Sequence, residues 1–298
     1  MNRRALLIAF LGLVLAGAPG CPPAGGSGGQ DALDQVLQRK KLIVAMDPAY
    51  DPFEIRQPDG SIAGFDVDLI HELAADLGVE VELKSVSWVS IIPELKGKNV
   101  DAVFSGMSVT DERKRTVAFS RPYFQVGQVV IKRKGDERIR SWRDLNKKGM
   151  VVATQQGTTG EQAIKDFMPE AEILRFEQVD LGCVALVQNK CDAVVFDHPY
   201  LMKYVSTRTG ELEGIWEPFT REPIAAAVRQ DSPKLVEAID RTLTRLEQSG
   251  KLQQLIARHF PFEGQLQQPP AAPATPADGP LGAATGEGDG ASPAGGGE

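Results

Sequence analysis

The sequence predicts an α/β protein of two lobes, each a βαβ-based and mainly parallel sheet, joined by a hinge that the chain crosses twice. Three observations carry this. Strand-like and helix-like segments alternate through the body with short connections, the βαβαβ order occurs twice in series, and a last strand with long helices follows the second unit. Returning that last segment to the first lobe is the economical way to bury it, which sets crossings near 126–130 and 219–224.

Residues 41–46 (KLIVAM) read as the first strand, and 64–77 as a helix with Phe65, Leu69, Ile70, Leu73 and Leu77 on one side. A strand at 79–86, a short helix at 88–96 and a β-branched, aromatic strand at 100–104 (VDAVF) complete the first unit. The second repeats the grammar: strand 149–154, helix 159–168, strand 171–176, helix 180–188, strand 192–196. Residues 223–229 then read as one strand. Ser232 can cap and Pro233 can open a helix that runs to 249, where Gly250 can close it.

The ends of the chain have a different character. Residues 1–20 carry Arg3 and Arg4, an apolar run from Ala5 to Ala16 and then small residues, the layout of a secretory signal and too short to favour a membrane span. Cys21 follows at once, and a cysteine there resembles the lipid acceptor of a bacterial lipoprotein, although Ala18 and Pro19 depart from the usual pattern. Cleavage after Ala18 at an A-x-A site is the rival reading. Residues 21–32 read as a Gly/Pro tether and 263–298 as a disordered Pro/Ala/Gly tail, because neither can bury enough apolar surface to fold. The first lobe is then 33–127 with 221–262, and the second is 128–220.

A net charge of −7 without a basic block argues against nucleic acid or anionic membrane surfaces as partners. Export to an oxidising compartment would allow Cys183 and Cys191 to form a disulfide; the alternative is two small apolar side chains packing a helix on the next strand. Enzyme signatures such as G-x-S-x-G, H-E-x-x-H, the Walker loop and the dinucleotide glycine pattern are missing. His71, His198 and His259 lack metal-ligand spacing, so neither a metal nor a cofactor is expected.

The stretch SGMSVTDER (105–113) is the most informative in the chain. Ser105, Gly106 and Ser108 end an apolar strand with hydroxyls and accessible backbone, and Arg113 brings a planar fork of donors suited to a carboxylate. At QGTTGE (156–161) a strand gives way to a helix, with Thr158 and Glu161 in capping-box spacing and free N–H groups that attract anions. Asp197 ends the strand DAVVF, where a carboxylate can hold an ammonium group or simply cap the next helix. Asp47, Tyr50 and Phe53 lie in the turn DPAYDPF; Tyr50 and Trp88 offer flat walls for a ligand, or core packing.

At this point the chain resembles the bacterial extracellular solute-binding proteins of family 3, the polar amino-acid receptors of ABC importers. The resemblance spans most of 40–260 and rests on AYDPFEI with GFDVDLIHELAADLG, IIPELKGKNVDAVFSGMSVTDERKRTVAFSRPYF, VVATQQGTTGE, CDAVVFDHPY and SGKLQQLIARHF, in that order. It implies a type II periplasmic-binding-protein fold that closes on a free amino acid. It further implies a monomer that hands its ligand to ABC permease subunits, is periplasmic or at the cell surface, and is held to the membrane through lipidated Cys21. Carried over by position, Arg113, the backbone of Ser108 and the Thr159 N–H would bind the α-carboxylate. Asp197, the Ser108 hydroxyl and the Gly106 carbonyl would take the α-ammonium. Tyr50 and Trp88 would flank the side chain, with Asp47, Ser105 and Gln155 at its far end. Asp47 favours a cationic or hydrogen-bonding side chain and Gln155 also suits an amide, so Arg, Lys, His and Gln remain open.

Two rivals share the resemblance. Cyclohexadienyl dehydratases look like the same family but need a general acid set against a leaving hydroxyl, and the full set of partners for a zwitterion speaks against that role here. A sensory module attached to a signalling or cell-wall enzyme is the other, although the stretch after Phe262 has the composition of a tail.

Overall fold

The computed structural model describes residues 30–262. The predicted leader 1–20, Cys21, the tether as far as 29 and the tail from 263 lie outside them. Two five-stranded sheets organise the chain. The first has the order Glu80–Ser85, Lys41–Met46, Ala102–Val103, Ala227–Arg229, Val117–Phe119; the second has Glu172–Phe176, Val151–Gln155, Ala193–Asp197, Gln128–Arg133, Leu212–Ile215. Each is mainly parallel with one reversed strand. Ala227–Arg229 runs antiparallel to both neighbours in the first sheet, and Gln128–Arg133 does so in the second.

Those reversed strands are the ones that the chain lays down as it changes sheet. Just before them, Phe124–Val126 and Glu222–Ile224 pair with each other as a separate antiparallel ribbon. The expected single strand at 223–229 is therefore two strands. Its first part belongs to the ribbon and its second to the first sheet, because the chain must turn at Ala225 and Ala226 to pass from one to the other. Leaving the ribbon in opposite directions, the two crossings enter sheets whose other strands already point toward the cleft. Met46, Val103, Gln155 and Asp197 all lie at strand carboxyl ends, where α/β sheets place their ligands.

The core follows the expected pattern. Every residue of Ala193–Asp197 is buried, as befits a strand covered on both faces. Helix Pro233–Gln248 packs Leu235, Ile239, Leu243 and Leu246 inward, and Lys251–His259 follows it. The fold opens with helix Ala32–Arg39, which starts one residue inside the expected tether and otherwise fills the expected start of the first lobe, where no element was anticipated. Asp31 explains its start: its carboxylate caps that helix through Leu33 N–H at 2.9 Å and also takes Lys234 N–H at 2.9 Å, while Ser232 Oγ accepts from Ala32 N–H. One acid thus serves two helix starts and ties the beginning of the folded body to helix Pro233–Gln248.

Cys183 and Cys191 are both buried free thiols, packing helix Val179–Val187 on the neighbouring strand, not the disulfide that export would allow. Among the described residues no helix is long and apolar enough to cross a membrane.

Candidate functional site

All ten residues singled out for ligand binding in the sequence line one cavity between the sheets: Asp47, Tyr50, Trp88, Ser105, Gly106, Ser108, Arg113, Gln155, Thr159 and Asp197. The cavity encloses about 400 Å³, part of it open to solvent, and Ala49, Thr158 and Phe196 complete its wall. Past Asp47 and Ala49 it adjoins a wider groove bordered by Asp51, Arg56, Asp180, Lys203 and Arg208.

The first sheet supplies the Ser105–Arg113 side. Gly106 sits at φ +50°, and a Cβ there would come within 2.3 Å of the Tyr50 ring, so only glycine lets that ring lie flat against the turn. Two residues on, the Ser108 carbonyl accepts from Arg113 Nη1 at 2.8 Å. Arg113 belongs to the short helix Asp111–Lys114, which Thr110 caps through Arg113 N–H, and its guanidinium lies 5.0 Å from the Trp88 ring centroid. A single bond to backbone and an aromatic neighbour leave most of its donor fork free for an anion.

Opposite stands the second sheet. Thr158 caps helix Thr159–Phe167, but Glu161 reaches Gly157 N–H at 2.9 Å and not the N–H of Thr158, so the expected capping box closes one residue early. Thr159 opens the helix, where N–H groups lack intrahelical partners and favour an anion. Its hydroxyl lies 3.5 Å from that of Ser108 across the cleft. Further interlobe contacts run from Trp88 Nε1 to the Gly157 carbonyl at 2.9 Å and from Gln155 Nε2 to Asp47 Oδ2 at 3.3 Å.

Asp197 decides between its two readings. It stands at the N-cap of helix His198–Ser206, yet its side chain makes no capping bond. The carboxylate turns into the cleft, accepting from the Tyr50 hydroxyl and from Gln128 Nε2. Burial above all, then the nearby charge of Glu222, pushes its pKa up to about 7, against the pull of the Tyr50 and Gln128 bonds and of Arg113. Tyr50 is consequently more than a flat wall, since its hydroxyl is a partner of the acid.

Two residues at this site escaped the sequence reading. Glu222, on the hinge ribbon, accepts from Ser108 Oγ at 2.7 Å, from Thr220 Oγ1 at 2.6 Å and from Gln128 Nε2 at 3.1 Å. Gln128, fully buried at the start of its strand, thus joins Glu222 to Asp197. Their signal was faint: a polar residue placed beside each predicted crossing. With the only proton of the Ser108 hydroxyl committed to Glu222, its lone pairs are left to accept from a ligand.

Two α/β lobes with a guanidinium and a buried acid turned away from its helix cap meeting in one interlobe cavity define a cleft-type receptor for a small polar solute. The chain belongs to the bacterial extracellular solute-binding proteins, family 3, which it matches over residues 42–262. It is 31% identical over 268 residues to a probable histidine-binding protein of Neisseria gonorrhoeae, covering 89% of this chain and 98% of the relative. It is 34% identical over 233 residues to an arginine-binding extracellular protein of Bacillus subtilis, covering 76% and 88%. Among solved structures, an ancestral amino-acid-binding protein described as a precursor of cyclohexadienyl dehydratase superposes with a TM-score of 0.73 at 36% identity, covering 77% of this chain and 99% of that one. The curated relatives are binding proteins, and the chain is a solute-binding protein, not an enzyme.

Proposed function

We propose that this chain binds a free polar α-amino acid between its lobes, with a cationic side chain favoured, and delivers it to the permease subunits of an ABC importer. The observation that carries the reading is the pairing of Arg113 with Asp197 in one cavity, the acid turned away from its helix cap. A zwitterion leaving water needs a partner for each charge. Arg113, the Ser108 backbone and the Thr159 N–H would take the carboxylate; Asp197, the Ser108 hydroxyl and the Gly106 carbonyl would take the ammonium.

Charge count favours a cationic side chain. Asp47, Asp197 and Glu222 face one guanidinium, so a ligand with net positive charge balances the cleft better than a neutral one. The groove beyond Asp47 gives a long side chain room. Relatives named for histidine, arginine, glutamine and cystine support a polar amino acid. Export by the leader and a lipid anchor at Cys21 complete the reading, placing the receptor outside the cytoplasm on a membrane.

Calorimetric titration with L-arginine and with its des-amino analogue tests the clamp. Loss of the ammonium removes a charge-assisted bond and makes Asp197 take up a proton, so at pH 8 affinity should fall by about 100-fold or more. Equal affinities would sink the assignment.

A further inference from the structure

The turn that carries Ser105 and Gly106 rests on two acids that do not line the cavity. Glu54, on the short strand Glu54–Arg56, and Asp66, in the first turn of helix Phe65–Leu77, are both 0% exposed. The Ser105 hydroxyl donates to Glu54 Oε1 at 2.5 Å while it accepts from the Asp47 N–H at 3.0 Å, and the Gly106 N–H donates to Asp66 Oδ2 at 2.8 Å. Each acid keeps one oxygen outside these bonds, Glu54 Oε2 and Asp66 Oδ1, with the Tyr123 hydroxyl within reach of Asp66.

Among the described residues, no positive charge is paired with either acid. Asp47 follows the strand Lys41–Met46, Tyr50 lies on its own short strand, and Tyr123 precedes the ribbon; these are the titratable groups that face the pair, besides the two acids themselves. Neither acid pairs with a lysine or arginine among the described residues. Two neighbouring carboxylates in a dry interior cannot both ionise without a cation. A single proton resolves this, because an O–H on one acid can donate to the unpartnered oxygen of the other. Burial first, then the charge of Asp66, raises the pKa of Glu54, and burial brings Asp66 to about 7.

We propose that Glu54 and Asp66 share one proton and are the positioning residues of the cleft, holding the Ser105–Gly106 turn in the geometry that the ligand reads. Only the ligand arm of this proposal rests on the amino-acid reading above. The folded chain keeps a proton that the unfolded chain gives up in the ordinary carboxyl range, so stability falls as pH rises through the pKa of the folded pair. Loss of the proton sets two like charges beneath the turn and loosens it.

Glu54→Gln supplies permanently what the proton supplies: its amide N–H can donate to Asp66 and its carbonyl can accept from Ser105. Thermal unfolding of the full chain and its affinity for L-arginine are measured from pH 6 to 9 for wild type and E54Q. With rising pH the wild-type Tm should fall more steeply than that of E54Q up to about pH 7, and the wild-type Kd should rise above pH 7 while that of E54Q does not. The difference between the two profiles removes the contribution of Asp197, which both chains retain. Parallel slopes, or a flat wild-type profile, would overturn the proposal. Carboxyl carbon-13 NMR of the wild type needs no variant: one carboxyl besides Asp197 should remain protonated at pH 7, and full ionisation there refutes the shared proton. Failure of L-arginine to bind would count against the functional reading alone, since the unfolding and NMR arms need no ligand.

Discussion

Acidification should weaken ligand binding through a single group, Asp197. Its pKa of about 7 is set chiefly by burial and by Glu222. An ammonium group can be held there only by the ionised carboxylate, so binding below pH 7 must expel a proton. With the bound ammonium holding the carboxylate ionised, Kd grows as one plus the ratio of protonated to ionised Asp197 in the empty receptor. Two pH units below about 7 make that factor about 100, equivalent to about 2.7 kcal/mol. The empty receptor responds with the opposite sign: its folded state keeps a proton that the unfolded chain has released, so its stability falls as pH rises from the ordinary carboxyl range to about 7. Calorimetry with L-arginine between pH 5 and 8, in two buffers of different ionisation enthalpy, reads both Kd and proton release. Close to one proton should leave at pH 6. A Kd constant within about threefold across that range, with no proton released, would refute the argument.

Other outcomes follow from the same geometry. Arg113→Ala should weaken L-arginine binding by about 100-fold or more, since it removes the charged partner of the carboxylate, while the Tm of the empty protein moves by only a few degrees; calorimetry and thermal unfolding separate the two effects. Tyr50→Phe deletes a bond that favours ionised Asp197, so the midpoint of the pH profile should move to higher pH in the same titration, and an unmoved midpoint would remove Tyr50 from the electrostatics. Burial pushes the Cys191 thiol up to about 12 and raises Cys183 as well. Both should therefore resist alkylation in the native protein and both should react once it is denatured without reductant, as peptide mass spectrometry can read. A linked 183–191 peptide would contradict the free thiols.

The fold was legible because periodicity and order survive folding. Helix 88–96 and strand 41–46 fall where the alternation of apolar residues puts them, and the repeated βαβαβ order anticipates two sheets. What failed to show has a physical cause in each case. Helix Ala32–Arg39 escaped because it is only eight residues long and, beside its local cap Asp31, the contacts that hold it, Ser232 Oγ and the N–H of Lys234 on Asp31, lie about two hundred residues away. The break at Ala225 and Ala226 leaves an apolar run unbroken in sequence, since it is a change of sheet and not of hydrophobicity. Within the cavity, residues carried by recognisable motifs were found and those carried by geometry were not. Gln128 and Glu222 stand on two different crossings: strand pairing in the second sheet sets Gln128 opposite Asp197, and the antiparallel ribbon brings Glu222 beside Gln128.

On the proposed reading, Asp197 also separates an amino-acid receptor from the rival dehydratase. A buried acid that still holds its proton near neutral pH has the property a general acid needs. An α-ammonium group removes that property, because its charge ionises the acid that holds it. A ligand without the ammonium leaves the proton in place, beside whatever leaving group the cleft presents. Binding an amino acid and donating a proton are therefore exclusive states of one carboxyl, chosen by the ligand's own charge. The supporting residues favour the first state. Tyr50 and Gln128 both donate to Asp197, bonds that stabilise the anion, and Arg113 lies near enough to do the same. A site built for acid catalysis would replace those donors with groups that keep the carboxyl neutral, and this one has kept them.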